Sequence, residues 1–359
     1  MSKPLGLGWG VYPYDVCTAL VPAALYAIRD MAKAGLLQNF TSANVTDANL
    51  ADTAERYAQV LEAEAPKFFR YEVGADQVQQ RLEGYVQRAN LSDSLLYGEG
   101  SLNASSSTSN TSSSGSNGME RRWGGVTFSR EADFSLLTSR QEPANNTQST
   151  NTSLYGLSLM EDGSVVPVLN SDLSFNLLYS RKPSRELVEA VITALQPYPR
   201  GLLTNIGMLV ANPAYDPNTT KTTELDRTAY HGTVSWGFQT NFMASGLDRI
   251  IASCDAASTR TEVEKSGLTE RPDWCDDEDL VDGLKGAQAR LWQAVNGAYE
   301  ERFAEVWSWT WKNDTDRFEV TALGEISPEG TESDAIQLWS YGLLGIQDPT
   351  AAAGNSTSA

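Results

Sequence analysis

The feature that most constrains this chain is a run of helix-length segments that alternate between apolar on nearly all sides and apolar on one face only. Asp15 to Gly35 carries Val16, Ala19, Leu20, Ala23, Ala24, Ala27, Ile28 and Met31 at helical spacing, with Pro22 inside the first two turns. Leu50 to Phe69 and Ala75 to Ala89 follow as amphipathic segments, apolar on one side and charged on the other. Later come Leu173 to Tyr179, a Ser184-capped segment ending at Pro197, the apolar stretch Thr233 to Ile251, the long two-faced stretch Leu280 to Trp309, and the apolar Ser333 to Leu344. A helix apolar all round must be enclosed by others, and an amphipathic partner must cover it. Inner and outer helices paired in this way close naturally into a ring. The expectation is therefore an all-α fold, an (α/α) barrel of helical hairpins.

Two stretches interrupt the pattern. Ser101 to Gly118 is nearly pure Ser, Asn, Thr and Gly, and Gln141 to Ser153 repeats that bias. Neither can bury enough apolar surface to offset the entropy of ordering. Between them, Arg121 to Leu137 carries Trp123, Phe128 and Phe134 and is expected to form a small hairpin. The organisation expected is a first part of the barrel over 1–92, a low-complexity, disordered insert over 93–154, the rest of the barrel over 155–348 and a disordered tail over 349–359.

Composition narrows the function classes. With 46 acidic against 27 basic residues the formal net charge is −19, which repels nucleic acid and anionic lipid and leaves neutral ligands such as sugars. No stretch is long enough to cross a bilayer. A single histidine and three scattered cysteines supply no zinc spacing, and no cofactor is expected. Cys254 and Cys275 flank a polar loop, and closing about 20 residues there would contribute on the order of 3 kcal/mol. Cys17, on an apolar helix pattern, is expected to be a buried, inert thiol.

Ten N-x-[S/T] sequons, at Asn39, Asn44, Asn90, Asn103, Asn110, Asn145, Asn151, Asn218, Asn313 and Asn355, read as those of a glycoprotein of the secretory route. Met1 to Gly10 has no apolar signal core, so the signal is expected upstream of this chain.

The string Tyr230-His231-Gly232-Thr233-Val234-Ser235-Trp236 opens an apolar helix pattern. Glu325, within Ala322-Leu323-Gly324-Glu325-Ile326, precedes Glu332 to Ser340. Together these resemble the C-terminal half of six-hairpin glycosidases, the (α/α)6-barrel superfamily of glucoamylase-like and debranching-enzyme-like hydrolases. Leu202 to Leu209 resembles the loop those proteins run over the barrel mouth. About four hairpins are countable where the family has six, so the barrel is expected to be incomplete.

The resemblance implies a glycoside hydrolase acting on an oligo- or polysaccharide, inverting, with two carboxyls. Such enzymes set an acid and a base roughly 6.5–9.5 Å apart to admit a water. Glu325 is the candidate base. Asp15 and Asp172 are candidate acids, each equally readable as a helix cap, and Asp334 is a weaker candidate. His231 is a candidate for a sugar hydroxyl or a satisfied structural histidine. Trp9, Tyr14, Trp236 and Trp339 are candidate stacking platforms, since sugar C–H faces pack on aromatic rings. Trp307, Trp309 and Trp311 are read as packing residues on or just beyond a long outer helix. The alternatives are a non-catalytic, carbohydrate-binding remnant of the same fold, or a helical interaction scaffold.

Overall fold

The computed structural model describes residues 6–37, 47–97, 151–217, 219–255, 263, 265–328 and 337–349. The expected hairpin over 121–137 and Asp334 lie outside these residues.

The helices follow local sequence signals. Helix α1 (Val16–Lys33) starts where the Asp15 carboxylate accepts the Cys17 amide at 2.9 Å, and stops where Gly35 turns to φ 72°. Helix α2 (Asp47–Glu64) packs on it as a hairpin and runs into a 3-10 turn, Ala65–Phe69. Helices α3 (Ala75–Arg88), α4 (Ser94–Tyr97) and α5 (Leu173–Tyr179) follow. Helix α6 (Arg185–Ala194) is capped by the Ser184 hydroxyl, which accepts the Leu187 amide at 3.2 Å. After α7 (Thr219–Glu224) come the buried helix α8 (Gly237–Cys254), then α9 (Glu278–Gly297), capped by Asp277, and the short α10 (Leu323–Ile326).

The all-α ring expected from the sequence is not what forms. The fold is mixed α/β, with helices packed on a curled antiparallel sheet. Its central strand is β3 (Thr152–Leu159), which pairs with β1 (Tyr12–Pro13) and β2 (Arg70–Val73) on one side and β4 (Val165–Asn170) on the other. Beyond the β5–β6 hairpin (Leu203–Thr204, Gly207–Met208), β7 (Ala211–Asn212) continues the sheet from β4. A bridge between Leu209 and Ser235 carries the ladder on to β8 (Ser235–Trp236), β9 (Val306–Lys312) and β10 (Arg317–Thr321).

Three stretches account for the error. The segment Leu154 to Ser158 is buried on both faces, so it lacks the alternation that marks a half-buried strand. The expected inner helix Thr233 to Ile251 begins as strand β8, because Ser235 and Trp236 pair with Trp307 and Val306 before the helix starts. The long helix expected over Leu280 to Trp309 ends at Gly297, and Trp307, Trp309 and Trp311 alternate along β9 instead. Trp307 Nε1 donates to Ile206 O at 2.7 Å and Trp309 Nε1 to Thr233 O at 2.6 Å, so these indoles stitch β9 to its neighbours. The stretches 93–97 and 151–154, read as part of the insert, contain helix α4 and the start of β3.

The main core lies between the sheet and helices α3, α5, α6, α8 and α9, with Leu82, Leu154, Leu169, Leu177, Val188, Leu247, Leu284 and Leu291 each 0% exposed. Helix α8 crosses α5 closely because Gly246 leaves room for Leu177. A Cys254–Cys275 disulfide ties the end of α8 to the loop before α9. Glu62, near the end of α2, accepts from Tyr26 Oη of α1 at 2.7 Å. Its other oxygen accepts Ser180 Oγ and the amides of Arg181 and Lys182, at 2.5, 2.6 and 3.0 Å, just past α5.

A close approach within the sheet is at Gly156, in the irregular stretch of the β3–β4 ladder. A Cβ there would stand 2.3 Å from Val165 Cγ1 and 2.5 Å from the Val166 carbonyl oxygen. Because a ladder carbonyl cannot yield as a side-chain tip can, Gly156→Ala is expected to lower stability by about 2 kcal/mol or more. Urea unfolding checks this: an unchanged midpoint would contradict the geometry.

Candidate functional site

Strand β4 ends at Asn170, and the chain turns through Ser171 and Asp172 into α5. Here Asn170 Oδ1 accepts the Asp172 amide at 3.1 Å, and the Ser171 amide donates to Val210 O at 2.9 Å. Asp172 stands at the N-cap position of α5, yet its carboxylate caps nothing. It accepts instead from Gln239 Nε2 at 2.6 Å, in the first turn of α8, and Ser171 Oγ donates to the same residue's Oε1. Gln239 is thereby oriented from both ends, its amide nitrogen held on Asp172.

Asp15 approaches from α1, which packs against α5. Burial, and then the negative charge of Asp15, push the Asp172 carboxyl up to about 7, against the lowering effect of the Gln239 bond. Tyr14, beside Asp15, is fully buried between Phe69 and Tyr155, with ring centroids 5.1 and 5.7 Å away. Burial, Tyr155 and the Asp172 charge hold its phenol far above the usual tyrosine range. Among the described residues its hydroxyl has no hydrogen-bond partner. A ring so enclosed offers no face to a sugar, so Tyr14 is not a stacking platform. What it supplies is an unsatisfied hydroxyl close to Asp172.

An array of rings runs from this point across the surface. Phe175, one turn along α5 from Asp172, meets Phe242 at 5.2 Å and Phe238 at 6.4 Å. Phe238 in turn meets Trp236 and Trp339, each at 5.3 Å. Trp236 closes a cluster with Tyr230 and His231 at 4.8 and 5.0 Å. Trp236 is buried, Phe238 and Phe242 are half-buried, and Trp339 is 52% exposed. His231 has one side in solvent, while crowding by its neighbours lowers its pKa below the ordinary value. The Gly6 to Gly10 turn lies against it, with Trp9 37% exposed at φ 75°.

Asp15 and Asp172 are thus brought together, and Glu325 is not brought to them. Glu325 is exposed on α10, which packs through Leu323 and Ile326 onto the cluster around Trp236. Its side chain forms no hydrogen bond or ion pair among the described residues, and it is not among the charges that act on Asp172.

Gln239, Phe175, Phe238 and Phe242 escaped the sequence reading. A run of polar residues, Gln239, Thr240 and Asn241, in the first turns of a helix that is otherwise largely buried was the available signal. Among the described residues no group of acidic, histidine or cysteine side chains could hold a metal ion, and no helix is long and apolar enough to cross a membrane. Of the sequons, Asn90, Asn151 and Asn313 are described, and all three are exposed. Asn39, Asn44, Asn103, Asn110, Asn145, Asn218 and Asn355 lie outside the described residues. Compared with known protein families, characterised proteins and solved structures, the chain matches none.

The raised Asp172 carboxyl has a consequence for stability. Its folded value, about 7, lies above the ordinary 3.8, so the folded state holds this proton more tightly than the unfolded chain. The stability tied to that proton is complete below about pH 4 and is lost as the pH rises towards 7. Between about pH 5 and pH 8 the loss from this group is expected to be on the order of 2 kcal/mol. Asp172→Asn removes it, so urea midpoints of variant and parent should diverge towards alkaline pH, the variant being the more stable; parallel pH profiles would contradict the assignment.

Proposed function

We propose that this protein hydrolyses glycosidic bonds, with Asp172 as the general acid and Asp15 as the carboxylate that draws a proton from the attacking water. One observation carries the reading. Asp172 is a carboxyl at a helix start that performs no capping, is enclosed beside a second carboxylate, and keeps its proton close to neutral pH. Two carboxyls whose environments differ in this way fit the division of labour that glycoside hydrolysis requires. In the step, the Asp172 proton passes to the glycosidic oxygen as its bond to the anomeric carbon breaks. Water adds to that carbon and gives its own proton to Asp15.

The ring array supports a sugar as the ligand. Phe238, Phe242 and Trp339 present partly open apolar faces joined ring to ring with Phe175, which lies one turn along α5 from Asp172, and are suited to the C–H faces of pyranose rings. The net charge of −19 favours a neutral substrate. The exposed sequons and the Cys254–Cys275 bridge support a place in the secretory route.

A second reading is carbohydrate binding without turnover. It is favoured by the Asp15 carboxylate, which is already engaged with the Cys17 amide.

Chromogenic glycosides, with oligosaccharide binding by calorimetry, separate the two. Hydrolysis predicts activity that falls as pH rises through about 7, and a loss on the order of 10³-fold in Asp172→Asn with binding retained. Binding that persists in the parent without release of any aglycone would favour the second reading. Neither turnover nor binding across the common neutral glycans would end both.

A further inference from the structure

One of the described sequons is set apart by its neighbour. Strands β9 and β10 form a hairpin in which Lys312 pairs with Arg317, so Asn313 to Asp316 make a four-residue tip. Asp316 takes φ 52°, the left-handed conformation that lets the chain double back. Asn313, Asp314 and Thr315, an N-x-T acceptor, are all exposed there. Side chains two positions apart along a strand share a face, and Trp311 stands two positions before Asn313. Its Nε1 donates to Asn313 Oδ1 at 2.9 Å.

The Asn313 carboxamide is thereby held by its oxygen on the indole. Its nitrogen is the atom to which a sugar would be joined. Neither that nitrogen nor the Thr315 hydroxyl makes a hydrogen bond among the described residues. The Trp311 ring meets Phe318 at 4.8 Å in a T-shaped contact, and the residue stays partly exposed. The other two described sequons lack this arrangement. Asn151 Nδ2 already donates to Glu72 Oε2 at 3.3 Å. Two positions before Asn90 stands Arg88, and the Ser92 hydroxyl of that sequon already accepts the Ser94 amide and hydroxyl at 3.2 and 2.8 Å.

We infer that Asn313 carries an N-linked glycan whose first sugar packs on the Trp311 ring and closes the tip of the β9–β10 hairpin. The C–H face of a pyranose suits an indole, and this indole lies beside the attachment atom. In the joining step, Asn313 Nδ2 bonds to the anomeric carbon of a polyprenyl-diphosphate-linked oligosaccharide as that carbon's bond to the diphosphate breaks. One amide proton passes to a carboxylate of the transferring enzyme, and the polyprenyl diphosphate leaves. Asn313 Oδ1 still accepts from the indole afterwards. The inference rests on the secretory reading above and is independent of the proposed hydrolysis.

The full chain, secreted from a eukaryotic host behind an added signal peptide, tests occupancy by peptide mapping after enzymatic deglycosylation in heavy-oxygen water. Asn313 is expected to be occupied in most molecules. Glycans at other sequons with Asn313 bare would overturn the inference and leave the secretory reading standing. A chain degraded in the host instead of secreted would overturn that reading and this inference with it. Packing is read from urea unfolding of the chain trimmed to its first sugars, compared with Thr315→Val, which keeps Asn313 but loses the acceptor. The sugar is expected to raise the folded-to-unfolded ratio about fivefold, the size of a contact between two rings. Trp311→Phe should keep part of that gain and Trp311→Leu none. Should Trp311→Leu fail to fold, proton NMR of the parent decides, since an indole face shifts the first sugar's ring protons upfield. Equal urea midpoints with and without the sugar, or sugar protons at their ordinary shifts, would overturn the packing.

Discussion

The arrangement depends on one obligation of the backbone. Strand β3 is buried on both faces, and its peptide groups must find partners away from water. They do so by pairing with three other strands, and two of those pairings shape the candidate site. Pairing with β1 delivers Tyr14 and Asp15 from one direction, and pairing with β4 delivers Asn170, Ser171 and Asp172 from the other. Two acidic residues more than 150 positions apart therefore meet because a single strand must satisfy its own ladder. The close approach of Gly10 to Ser158, whose hydroxyl donates to Leu7 O at 2.7 Å, fixes the first of these deliveries.

Helices were the legible part of the sequence. Asp15 and Ser184 marked helix starts correctly, because capping is decided by a few local atoms, and the Asn170-Ser171-Asp172 cluster also precedes a helix although its Asp172 side chain does not cap it. The sheet was obscured for reasons that differ from strand to strand. Along β3, burial on both sides erased the alternation. Strand β9 has a clear alternation in Trp307, Trp309 and Trp311, but the helical period before it was read straight through Gly297 and the short turn that follows. Strand β8 is two residues long, and only its partner defines it. With the sheet unseen, alternating helices suggested a ring, and the resemblance to six-hairpin glycosidases drew on the same helical pattern.

The site was legible in its residue types and obscure in its geometry. Asp15 and Asp172 presented one ambiguity in the sequence, and the structure resolves it differently for each: the first caps its helix, the second does not. That difference depends on Gln239, a residue far along the chain that claims the Asp172 carboxylate. Cys17 was expected to be buried because its helix is apolar, whereas the residue lies on the side of that helix turned to solvent.

Glu62 gives the pair of acids a remote adjustment. Through Tyr26 this one carboxylate grips α1, and through Ser180 and the next two amides it grips the end of α5, while Asp15 and Asp172 sit at the starts of those same two helices. The two helices are thus braced to one another by a carboxylate that touches neither acid, about three turns along α1 and just past the end of α5, so the separation of the two acids depends on a contact made well away from both.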